Sequence, residues 1–174
     1  HADAAGREVA AIVAIACDVW NRRFERSRVR WWIKRGLHAL AVLVAWVVGY
    51  MPARRLRIGS ADESLGYFRQ FHQWITSDRW CDRSGAIDYH AGLANLRVPF
   101  LHVLSEGDPL YARPSSALQM SAIVPTREFV VLGRDDAPGE LARLRPNHMP
   151  ILTSPSCKLA WHWVAGWLAR KLEG

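Results

Sequence analysis

Leu96-Arg97-Val98-Pro99-Phe100-Leu101-His102-Val103-Leu104-Ser105-Glu106-Gly107-Asp108-Pro109-Leu110 is the stretch whose reading decides the fold. From Val98 to Leu104 it is apolar almost throughout, with no polar alternation. Such a run suits a strand buried on both faces. Pro99 stands near its start, where a missing N–H is tolerated. Gly107-Asp108-Pro109 then turns the chain. Further on, Asn147-His148-Met149 precedes the last helix-like segment. An acid thus follows one strand and a histidine follows the next.

Working outward, Pro114-Ser115-Ser116 opens a helix that runs through Ile123, with proline favoured in the first turn. Pro125-Thr126 ends it, and Glu128 to Leu132 reads as a second strand. Arg134 to Asn147 reads as a long polar loop. Ser154-Pro155-Ser156 caps a final helix, with Leu159, Trp163, Trp167 (or Gly166) and Leu172 on one face. Upstream, Val9 to Ala16 is another short apolar run and reads as a strand. Strand and helix alternate here without tight hairpin signals, which predicts an α/β fold: parallel strands with right-handed crossovers and flanking helices.

Residues 19–94 read as an insertion. Leu37 to Met51 is nearly all apolar, bounded by Arg35 and by Arg54, Arg55 and Arg57. It falls short of the ~20 residues that cross a bilayer, so a buried or interfacial helix broken by Gly49 and Pro52 is expected. Ser60 and Glu63 suggest a capping box. Leu65, Phe68, Phe71 (or His72) and Ile75 then predict an amphipathic helix over 67–77. Residues 78–95 read as loop.

Composition excludes some functions. Half of the 174 residues are hydrophobic and 22% are charged, which argues against global disorder. The net charge is +7, and every basic residue except Lys34, Lys158 and Lys171 is arginine. No basic run is interleaved with aromatics in a nucleic-acid motif, so nucleic acid is not the expected partner. Arg22 to Arg35, with Trp31 and Trp32, borders the apolar segment and fits a membrane surface better. Cys17, Cys81 and Cys157 are widely spaced, and reduced thiols in a cytosolic protein are the expectation. No histidine pair has metal-ligand spacing.

In open parallel sheets, reacting groups gather beyond the carboxyl ends of the strands. Asp108 lies past one such end and His148 past another. An aspartate that accepts the imidazole Nδ1–H fixes the tautomer, and the ring can then take a proton from an attacking hydroxyl. Glu106 is a rival acid, and Asp108 could also serve only as a turn former before Pro109. His102 reads as a core residue and His162 as a packing residue among tryptophans. His38, His72 and His90 belong to the insertion, and Asp135-Asp136 reads as a solvated pair. Trp31, Trp32 and Trp46 could line an acyl channel or touch lipid.

Residues 96–174 resemble the C-terminal part of an α/β-hydrolase, on three stretches: Val98 to Asp108, Asn147-His148-Met149, and Trp161 to Leu168. Val9 to Ala16 resembles the strand after the nucleophile helix of that family, and residues 19–94 resemble the helical cap of its serine-aminopeptidase-like and lipase-like branches. The resemblance implies core at 1–18 and 95–174 and a cap at 19–94. It implies a serine hydrolase, esterase-like or lipase-like, acting on a small hydrophobic ester or acyl substrate without a cofactor. Asp108 and His148 would be the acid and the base of its triad, in one of the known chain orders. The departure is that no Gly-x-Ser-x-Gly occurs. His1 to Gly6 is a poor candidate for a decayed version, so the nucleophile is expected upstream of residue 1 and the chain is expected to be an inactive portion. A non-catalytic binding protein of the same fold, and a membrane-surface protein, are the alternatives.

Overall fold

The computed structural model describes residues 8–56, 61–77 and 79–173. It divides into two compact units, one made of residues 1–18 and 91–174 and the other of residues 19–90.

The first unit is built on a parallel sheet of three strands, β1 (Ile12–Ile15), β4 (Phe100–Ser105) and β5 (Arg127–Leu132), in the order β1-β4-β5. The register sets Ile12 beside Phe100 and Ser105 beside Leu132. Every residue of β4 is buried, as expected of a central strand carrying side chains into both layers. Between β4 and β5 runs α4 (Pro114–Met120), extended by a 3-10 turn at Ser121–Ile123. Leu101, Leu104, Leu132, Ile151, Val164 and Trp167 belong to one continuous core. After β5 come a 3-10 turn (Gly139–Arg143), α5 (Pro150–Thr153), a second 3-10 turn (Pro155–Cys157) and α6 (Lys158–Leu172).

Three expectations change here. The stretch 134–147 is not simply a polar loop, because its 3-10 turn buries Leu141, and Ala137 is buried just before it. The inward face of α6 carries Ala160, Val164 and Trp167, whereas Leu159 and Leu172 are exposed. Cys157, which closes the preceding turn, is buried, and that sets the phase of the helix. His162 is exposed rather than packed.

His102, fully buried on β4, holds the end of β1. Its Nε2 lies 3.0 Å from the Cys17 carbonyl, so that nitrogen carries the proton and Nδ1, 2.9 Å from Ser121 Oγ, accepts. The turn it secures is strained: Ala16 has φ 48°, a left-handed conformation that costs about 1–2 kcal/mol for a residue with a Cβ. Two residues on, Asp18 accepts from Ser116 Oγ of α4 at 2.9 Å.

The second unit contains α1 (Arg28–Val48), a ribbon of β2 (Tyr50–Met51) with β3 (Glu63–Ser64), and α2 (Leu65–Thr76). α3 (Tyr89–Ala94) stands where only loop is expected from the sequence. α1 begins well before Leu37: Ser27 caps it by accepting from Arg30 N, and Gly49 ends it at φ 87°. With 21 residues it is long and apolar enough, by length and composition alone, to cross a membrane, which corrects the shorter span inferred from the sequence. α2 is capped by Ser64, which accepts from Tyr67 N. The expected box at Ser60 lies outside the described residues.

The two helices meet through rings: His38 stacks on Phe68 at 5.7 Å and meets Phe71 edge-on at 4.9 Å. Beneath them sits a charged knot. Glu25 accepts from Arg30 Nε with both oxygens at 3.0 Å, and Lys34 Nζ lies 3.3 Å away. The side chains of Glu25 and Lys34 are 2% and 1% exposed. Asn21, also buried, donates to the carbonyls of Trp74 and Ser77.

Candidate active site

Asp108 ends a tight turn after β4. Its amide donates to the Ser105 carbonyl at 3.2 Å, and its carboxylate turns back into the chain that follows. Oδ1 accepts from the amides of Tyr111 (2.9 Å) and Leu110 (3.3 Å), and Oδ2 accepts from the amide of Ala112 (2.9 Å). A short acid before a proline can close its own loop in this way. The residue is 1% exposed. Burial alone would raise its pKa, but the hydrogen bonds from His148, Ala112 and Tyr111 and the nearby His148 ring outweigh it, so the carboxyl sits below its ordinary value.

His148 Nδ1 lies 2.8 Å from Asp108 Oδ2. The two sequence candidates are therefore in contact across 40 residues of chain. With Asp108 ionised, Nδ1 is the protonated nitrogen and Nε2 carries the lone pair. The His148 side chain keeps 31% exposure, so the ring is reachable from solvent.

The segment that carries His148 is held down at several points. Ser105 Oγ donates to the Pro146 carbonyl at 2.7 Å. At Gly107 a Cβ would stand 2.2 Å from the Arg145 carbonyl oxygen, so the backbones approach as only glycine allows. Gly133, at φ 84°, meets the same segment: a Cβ there would lie 3.0 Å from the Leu144 carbonyl. Tyr111 completes the surround, its ring stacked on the His148 imidazole at 4.9 Å with 30° between the planes. Ser105, Gly107, Tyr111 and Gly133 escape a sequence reading, because each acts on a segment some 10 to 40 residues away.

The remaining candidates lie elsewhere. Glu106 is exposed and lines an open depression of about 420 Å³ with Arg134, Asp135 and Arg145. Asp136 pairs with Arg134 at 2.8 Å in solvent. His102 is the satisfied core residue described above. Among the described residues, no group of three or more metal-ligating side chains is gathered. His1 to Gly6 lies outside the described residues.

No family model and no curated protein matches the chain. Solved structures that are similar to it are α/β hydrolases. They include an alpha/beta hydrolase enzyme from a Medee basin deep-sea metagenome library (15% identity, 87% of this chain and 54% of that one, TM-score 0.41). Another is an alpha/beta fold family hydrolase from Bacillus anthracis str. Sterne (8% identity, 82% and 53%, TM-score 0.39). A third is a thermophilic esterase from Thermogutta terrifontis (15% identity, 93% and 56%, TM-score 0.41). The chain spans about half the length of each.

Proposed function

We propose that this chain supplies the acid and the base of a serine ester hydrolase. The observation that carries the reading is the 2.8 Å contact between His148 Nδ1 and the buried Asp108 carboxylate at the carboxyl edge of a parallel sheet. In this reading a serine hydroxyl attacks the ester carbonyl while His148 Nε2 takes its proton. Asp108 holds the tautomer and stabilises the imidazolium that forms. The same Nε2–H then protonates the departing alkoxide, leaving an acyl-enzyme. Water attacks that acyl group in the reverse sense, with His148 again the base, and releases the carboxylic acid and the serine.

The nucleophile and the oxyanion donors are assigned to sequence preceding residue 1. Two features support this: no Gly-x-Ser-x-Gly occurs in the chain, and β1 is an edge strand, pairing only with β4 among the described strands. An edge of this kind is a pairing surface for a further strand. Residues 19–94 are assigned the part of the cap insertion, and the substrate class is a small apolar ester.

A fluorophosphonate probe tests the reading. Applied to the protein that contains this chain and the sequence before it, the probe should modify a serine upstream of residue 1, and His148→Ala should slow that modification by orders of magnitude. Absence of any modified serine favours a binding protein of the same fold.

A further inference from the structure

α1 has two unlike faces. Trp31, Lys34, His38 and Ala45 point inward. On the opposite side Val29, Ile33, Leu40, Leu43 and Val47, spaced by four, seven, three and four residues with Gly36 in the wider gap, fall on one stripe, each at least half exposed. Trp32 and Trp46, 65% and 68% exposed, stand towards its two ends, about 21 Å apart along the axis. Isolated apolar residues on a surface need no explanation, but a continuous stripe does.

The charge around the stripe has one sign. No acidic residue occurs between Arg26 and Leu56. Arg26 and Arg28 are exposed at the N-terminal end, and Arg54 and Arg55 at the other. Arg35 lies over the Trp32 ring with Cζ 5.1 Å from its centroid. Asp62 and Glu63 sit beside β2 and soften the C-terminal end, so the N-terminal end is the more strongly basic.

We propose that this face of α1 rests on an anionic lipid bilayer, with its axis along the surface. The stripe enters the acyl boundary, the tryptophans sit at headgroup level, and the arginines meet lipid phosphates. The helix lies on the bilayer rather than crossing it, because its other face carries Lys34 on Glu25, and His38 against Phe68 and Phe71. A second copy of the chain fits the stripe less well. Paired parallel or antiparallel, two such helices bring arginine-bearing ends together.

Vesicle co-sedimentation tests this without reference to catalysis. The chain should pellet with vesicles of equal parts phosphatidylglycerol and phosphatidylcholine at least tenfold better than with phosphatidylcholine alone, and less as salt is raised. An arginine near an anionic surface contributes about fivefold, so Arg26→Gln with Arg28→Gln should weaken binding about thirtyfold. Leu40→Glu with Leu43→Glu, checked for unchanged helix content by circular dichroism, should abolish it. Leu159→Glu, exposed on α6, should leave it unchanged. Equal pelleting with neutral and anionic vesicles, no pelleting, or indifference to both double variants would overturn the proposal. A concentration-dependent dimer lost in the leucine variant, without vesicle binding, would assign the face to a second copy instead.

Discussion

Gly107 has no room for a side chain, and that fixes where His148 can be. Gly107→Ala drives a methyl into the Arg145 carbonyl, and the chain must shift to admit it. The expected cost is about 1–3 kcal/mol in urea unfolding, as for overpacking elsewhere. Tyr111 is expected to act on the ring directly. Tyr111→Ala removes the aromatic face stacked on the imidazole, worth about 0.5–1.5 kcal/mol, so kcat for ester hydrolysis should fall about twofold to tenfold with little change in KM. Tyr111→Phe should restore it, and a KM effect alone would assign Tyr111 to substrate contact. Asp108 and His148 were legible in the sequence because strand ends are visible as apolar runs that stop at turn residues. Ser105 and Tyr111 were not, since their roles exist only once the 145–148 segment has folded back.

At the scale of elements, the strands β4 and β5 and the helix α4 follow closely from apolar runs and their punctuation. α1 was read too short for a physical reason: Arg28, Arg30, Lys34 and Arg35 look like a solvated boundary, yet Lys34 is buried on Glu25. One buried acid converts a basic stretch into helix core. Glu25→Ala should therefore be costly, about 3–5 kcal/mol in urea unfolding, because it strands a buried ammonium. Glu25→Met together with Lys34→Met should recover most of that loss. A single substitution with no effect would show that the knot is solvated. On α6 the expected Trp163 and Trp167 do meet the core, while Leu159 and Leu172 face solvent and Ala160 and Val164 are buried instead, because periodicity alone does not fix phase at the helix ends.

For the molecule as a whole, acid is the weak side. His102 and His38 are pushed down to about 4, chiefly by burial. An unfolded chain protonates histidine near pH 6.5. Between those values the unfolded state binds more protons, so stability falls as pH drops from about 6.5 towards 4. Below that the depressed carboxyls of Asp108 and Glu25 are protonated in turn, and their contribution is lost as well. Urea midpoints at pH 7.5, 6.5, 5.5 and 4.5 should be level across the first two and then decline. A flat profile down to 4.5 would mean that these imidazoles reach water. In the proposed reading, the absence of a Gly-x-Ser-x-Gly leaves the reacting serine to be sought outside this chain. For that reading, ester hydrolysis by a protein that contains this chain is the direct measurement. With His148→Ala or Asp108→Asn, kcat should fall by about 10⁴ while the substrate still binds. Unchanged kcat in either variant would contradict the assignment of these two residues as base and acid.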